Sequence, residues 1–176
     1  MPVRELDIKV IGNDSDPLSV LRGGRNLGLL SEAGCPAIAD PGAQLVEAAH
    51  REGFKVVPLV GPSSIVLALM ASGLEGQRFA FCGYLPREAP ERTKRIRELE
   101  QRSRKEHETE IFIETPYRND VLFAALLDSC APRTKLCVAA DLTLPGESVT
   151  TKMIQDWRRA KATIGRRPAV FLLLAD

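Results

Sequence analysis

Three carboxylates in this 176-residue chain stand where chemistry is feasible: Glu114 and Asp141, each following a short apolar run, and Glu147 after Pro145 and Gly146, with Arg118 four residues beyond the first. A carboxylate at a strand end can orient or deprotonate a hydroxyl nucleophile, and a nearby arginine can grip a phosphate through two parallel hydrogen bonds. The same side chains can equally cap turns or form ion pairs, and their spacing leaves that choice open. A second concentration of useful residues is SEAGCPAIADPG, residues 31–42, which holds two Gly, two Pro and two carboxylates directly after the apolar run LGLL. Glycine permits positive φ and close backbone approach, and proline fixes its own φ. The stretch therefore reads as a stiff loop aiming backbone groups at a ligand, or as an ordinary turn. Glu32 reads as a support for that loop. GPSS, residues 61–64, is a shorter loop of the same kind.

Other reactive side chains offer less. His50 and His107 sit among charged helix formers and carry no catalytic reading. Cys35, Cys82, Cys130 and Cys137 show no CxxC or CxxH spacing, which argues against a zinc site and fits reduced core thiols. Cys35 has no histidine or cation nearby in sequence to activate it, so its expected role is packing.

These residues must be positioned by elements that the hydrophobic pattern outlines. Residues 6–11 alternate apolar and charged side chains as a half-buried strand does, and 18–25 suit a short helix. Residues 27–30 and 55–60 read as buried strands. Residues 44–51 and 65–72 read as helices, the latter apolar on most sides and stopped by Gly73. Strand, loop, helix, repeated with short connections, is the pattern of parallel strands joined by crossover helices. Ligands there bind beyond the carboxyl ends of the strands, so the loops at 31 and 61 should lie side by side. The polar segment GLEGQR, 73–78, divides the chain into expected domains 1–76 and 77–176. In the second, 79–85, 110–114, 135–140 and 168–174 read as strands and 92–105 and 119–129 as helices. Met153, Ile154 and Trp157 are expected on a further helix. The helix over 92–105 has only Ile96 and Leu99 as apolar residues, so its interleaved charges predict a solvated face.

Composition bounds the class. Hydrophobic residues make up 44% and charged residues 27%, a globular balance, and a net charge of +1 excludes a domain coated in basic residues while allowing a local basic patch. The apolar run at 65–71 is far too short to span a bilayer, so the expectation is a cytoplasmic chain without membrane association.

Four motifs in order, SEAGCPAIADPG, VVPLVGPSS, FIETPYR and DLTLPGE, resemble those of the tetrapyrrole methylase family. Within it they are most similar to the branch of the small-subunit ribosomal RNA methyltransferases I, which methylate a cytidine 2′-hydroxyl. The resemblance implies two α/β domains with S-adenosylmethionine in the cleft between them, a homodimer, and ribosomal RNA as substrate. It assigns Ala33, Gly34, Cys35, Pro36, Ile38 and Asp40 to the first cofactor loop and Ser63 and Ser64 to the second. From the second domain it assigns Ile113, Ala139, Ala140, Pro168 and Ala169 to the adenosine side. Glu114, Arg118 and Glu147 remain the candidates for catalysis.

The chain departs from the family pattern at its start, because a strand, a Gly- and Pro-bearing loop, a helix and a second strand precede the family's counterpart of residues 6–11. The expected first domain is therefore incomplete. A tetrapyrrole or other small-molecule methylase, and a non-catalytic cofactor-binding or interaction remnant, stay open as alternative functions.

Overall fold

A computed structural model of the chain describes residues 7–12, 16–32 and 34–176. It divides into two compact units, Met1–Gly61 and Pro62–Asp176.

In the first unit the described residues form helices α1 (Ser19–Arg22) and α2 (Ala43–Arg51) and no strand. The strands expected at 6–11, 27–30 and 55–60 are corrected accordingly, residue 6 lying outside the described residues. The physical reason is that a strand exists only as one side of a ladder, and these segments pair with nothing among the described residues. Their apolar side chains stay in solvent: Val10 is 95% and Leu59 86% exposed. Among its described residues Leu18 and Ala49 are the buried apolar side chains. Arg22 bridges Asp16 at 2.6 Å and Glu52 at 2.6 Å, and Gly53, at φ +78°, follows the end of α2.

The second unit is built on a five-stranded sheet of β1 (Phe79–Tyr84), β2 (Thr109–Ile113), β3 (Lys135–Ala140), β4 (Ser148–Met153) and β5 (Ala169–Leu174), in the order β1-β2-β5-β3-β4. Only β1 and β2 run parallel; the other three pairings are antiparallel. β5, the last strand in sequence, is central. Its AVFLLL has no polar residue and is buried throughout, as a strand covered on both faces requires.

Residue parity then sorts the core into two layers. Phe112, Leu136, Val138, Phe171 and Leu173 face helices α4 (Ala89–Glu106), α5 (Asn119–Ser129) and α6 (Ile154–Ala160), where Phe112 and Phe171 stack at 6.0 Å. Ile111, Cys137, Ala139, Val170 and Leu172 face α3 (Ser64–Ser72). Gly73 ends α3 at φ +69°, as the sequence suggests, but only Ile65, Ala68 and Ser72 of that helix are buried. Met70 is 75% exposed, so the expectation of a helix buried on most sides is corrected to one buried face. α3, expected in the first domain, packs on the sheet of the second unit, and the contact division falls upstream of residue 76.

Two further expectations change. The stretch before Trp157 is not all helix: Met153 ends strand β4, and only Ile154 onward is helical. Nor is α4 wholly solvated outside Ile96 and Leu99. Arg92, Glu100 and Ser103 are buried, with Glu100 accepting from the Ala131 N–H at 2.7 Å and the Thr134 hydroxyl.

Candidate functional site

Register alignment brings the strand-end residues together. Ile113 of β2 pairs with Val170 of β5, which pairs in turn with Ala139 of β3, while Ala140 pairs with Ala169. Ile113 and Ala139 thus lie on the α3 face, and Ala140 and Ala169 on the opposite face, one residue apart along the same edge. All three alanines are buried; Pro168 is exposed, and its carbonyl accepts from the Asp141 N–H at 2.9 Å.

Three loops rise from that edge. After β2, Glu114 turns inward with a side chain 2% exposed; its Oε1 accepts from the Thr115 N–H at 2.8 Å and the Thr115 hydroxyl at 3.1 Å. Arg118 approaches Oε2 at 3.2 Å from a single 3₁₀ turn, Pro116–Arg118. The two candidates meet as an ion pair, and Glu114 Oε2, buried, accepts no hydrogen bond among the described residues. After β3, the loop 141–147 folds on itself. Asp141 and Thr143 take left-handed φ of 52° and 68°, and Glu147 accepts from the Thr143 N–H at 2.7 Å. Glu147 itself is exposed. Ahead of β5, Arg167 donates to Asp141 at 2.6 Å and to Ser148 Oγ at 3.0 Å, tying the third loop to the second. Arg167 lies beyond the last of the four motifs; the run GRRP immediately before an all-apolar strand is its one signal.

The remaining assigned residues lie near breaks in the backbone. Ser63 precedes α3 in extended conformation and makes no capping bond, and Ser64 opens the helix, so two hydroxyls stand beside first-turn N–H groups that have no intrahelical partner. In the first unit, the loop 31–42 alternates handedness: Gly34, Ala37, Ala39 and Gly42 all have positive φ. Ala37 donates to the Pro41 carbonyl and Ile38 to that of Cys35, both at 3.3 Å. A Cβ at Gly61 would stand 3.4 Å from Cys35 Sγ, so residue 61 and the first loop do adjoin. Pro36 and Asp40 are half-buried and Ile38 exposed; Ala33 lies outside the described residues.

Elsewhere the titratable groups read as structural. Glu110, fully buried on β2, pairs with Arg102 through both carboxylate oxygens and accepts from the Cys82 thiol at 3.2 Å. Burial first, then the bond to and the charge of Glu110, push the Cys82 thiol up to about 11. Burial likewise pushes Cys130 up to about 12. His107 ends α4 in the left-handed region. Among the described residues no three His, Cys, Asp or Glu side chains converge as metal ligands would, and no helix is long and apolar enough to cross a membrane.

Comparison with known proteins gives the family of the chain. Residues 18–156 match the family model "Tetrapyrrole (Corrin/Porphyrin) Methylases". A ribosomal RNA small subunit methyltransferase I of Pseudomonas aeruginosa is 33% identical over 159 residues, covering 89% of this chain and 55% of the relative. One of Bacillus subtilis is 38% identical over 123 residues, covering 70% and 40%. The chain thus spans about half the length of the curated relatives it matches. Among solved structures, the methyltransferase CobJ superposes with a TM-score of 0.58 over 90% of this chain and 68% of its own, at 19% identity, a likeness of fold. With the family model matching well over half of its residues, the chain belongs to the tetrapyrrole methylase family.

Proposed function

We propose that the chain is the S-adenosylmethionine-binding part of a methyltransferase acting on small-subunit ribosomal RNA, at the 2′-hydroxyl of a cytidine. The observation that carries this reading is the set of relatives named ribosomal RNA small subunit methyltransferase I, 30–43% identical to this chain. The bound cofactor supplies an activated methyl group, so the protein's task is positioning and exclusion of water rather than covalent catalysis.

The residues suit that cofactor. It carries a cationic centre, and the two arginines nearest the strand ends, Arg118 and Arg167, are each neutralised by a carboxylate, Glu114 and Asp141. Alanines, main-chain groups and the Ser63 and Ser64 hydroxyls provide small contours and neutral hydrogen bonds. In this reading residues 1–76 contribute the first loop and the two serines, and 77–176 contribute the strand-end residues. Glu114 and Arg118 act as a positioning pair. Glu147, exposed and held by Thr143, is the carboxylate offered to substrate. The homodimer and the cytoplasmic setting follow from the same family resemblance.

Calorimetric titration with S-adenosylhomocysteine, followed by methyl transfer from S-adenosylmethionine to small ribosomal subunits lacking the modification, tests the proposal. Binding with transfer to a cytidine ribose is expected. Binding without transfer to RNA points to a small-molecule methylase or a cofactor-binding remnant and overturns the substrate; no binding overturns the cofactor.

A further inference from the structure

An open groove of about 300 Å³ lies between α3 and the loop 141–147, lined by Leu67, Met70 and Ala71 on the helix and by Leu142, Thr143 and Glu147 on the loop. Its chemistry is two-sided. Four of the six lining residues are apolar, and Met70 leaves a polarisable thioether largely in solvent, a side chain suited to lie against a flat ring. The loop contributes a carboxylate whose orientation is fixed, because one Glu147 oxygen accepts from the Thr143 N–H at 2.7 Å. The other oxygen accepts no hydrogen bond among the described residues, and an ionised carboxylate can only accept.

An occupant must therefore bring an apolar planar face and an N–H donor at its edge. An aliphatic chain would leave Glu147 unmet. A phosphate would be repelled by it, and a simple cation would make no use of Leu67, Met70 and Leu142. A planar ring bearing an exocyclic amine meets both demands, the amine donating to the carboxylate as a cytosine or adenine amine does. We infer that this groove binds an amino-bearing nucleobase, with Glu147 accepting from the exocyclic N–H and Met70 lying against the ring. The inference rests on the RNA methyltransferase reading, in which the base belongs to the substrate nucleotide; the adenosine of the cofactor is assigned to Ile113, Ala139, Ala140, Pro168 and Ala169, none of which lines the groove.

The test uses the full chain with ¹³C-labelled methionine methyl groups. Met70 reports on the groove, and Met153, on β4, serves as control. Cytidine monophosphate, uridine monophosphate and S-adenosylhomocysteine are titrated in turn. The Met70 resonance is expected to move with cytidine monophosphate, and uridine monophosphate, which presents a carbonyl to the carboxylate, to bind about tenfold more weakly. Glu147→Gln keeps a carbonyl for the Thr143 N–H, so the loop persists, yet it should weaken the amine-bearing ligand about tenfold and narrow the preference over uridine. A shift with cytidine monophosphate assigns the substrate base; a shift with S-adenosylhomocysteine alone overturns the inference. Equal affinity for the two pyrimidines, indifference to Glu147→Gln, or a stationary Met70 in all three titrations overturns the inference. Methyl transfer to ribosomal subunits with a stationary Met70 would sink it while leaving the proposed function intact. Cytidine monophosphate binding without any transfer would do the reverse.

Discussion

At the scale of single residues, the deciding feature is how thoroughly each charged side chain is committed. Glu110, Glu114 and Asp141 are all held by arginines, and the thiols of Cys82 and Cys130 are kept protonated by burial. A thiol whose folded value lies above its unfolded one near 9 stabilises the fold fully below about pH 9, and that contribution is lost as pH rises through the folded value. Stability should therefore fall between about pH 9 and 11. Cys82→Ala should reduce that fall by about 1 kcal/mol, a figure discounted for the thiol's half-exposed position, as urea unfolding across that range would reveal. A variant that falls as steeply as the parent would remove Cys82 from the explanation. Little of this was legible in the sequence. Glu110 occupies an inward position of the alternating TEIFI strand, a visible anomaly, but its partners Cys82 and Arg102 come from elements that only the fold brings together. Gly34 is a parallel case. Its φ of +75° means that any side chain there strains the backbone, so substituting it cannot separate a lost ligand contact from a distorted loop.

Among the elements, α5 and β3 keep the boundaries that hydrophobic periodicity gives them, and β5 differs by one residue, because long apolar faces and buried runs dominate local choice. β4 was illegible for a physical reason: SVTTKM is a polar edge strand that pairs only with β3, and its Thr151 hydroxyl spends itself on the Ser72 carbonyl at the end of α3. α4 shows the opposite error. Charges alternating along a helix look solvated, yet Glu100 turns into the junction ahead of β3 and satisfies two donors there. Glu100→Ala should leave the Ala131 N–H and Thr134 hydroxyl unpaired and cost about 2–4 kcal/mol in chemical denaturation, whereas Glu98→Ala on the exposed face should change stability by about 0.5 kcal/mol or less. Similar costs for the two would mean that the Glu100 bonds contribute nothing. The strand-end positions of Ile113, Ala139, Ala140 and Ala169 follow from the apolar runs, whereas the division between the two faces of the sheet needs the register.

For the whole molecule, the two units contrast in how they hold together. Pro62–Asp176 has a two-layered core around a continuous sheet, while Met1–Gly61 holds its apolar segments in solvent. Amide exchange protection should accordingly concentrate in β2, β3 and β5. Exposed side chains such as Val10, Leu59 and Val60 form apolar surface of the kind that promotes association. Leu59→Lys combined with Val60→Lys should lower the associated fraction in sedimentation velocity while leaving the main unfolding transition in place. An unchanged distribution would mean that these segments are covered in solution. The pattern of residues 6–11, 27–30 and 55–60 is that of strands. Pattern supplies a face, however, and only a neighbouring strand supplies the ladder.

The position of β5 bears on biosynthesis. Of the five strands described, β5 leaves the ribosome after the other four, yet it joins β2 to β3, so those four emerge as two separate pairs, β1 with β2 and β3 with β4, with no bridge between them. Sheet closure must then be a late, long-range event, and a nascent chain stalled before residue 169 would present two open edges flanking a vacant slot. Loss of β5 would remove the middle of the sheet rather than trim its rim.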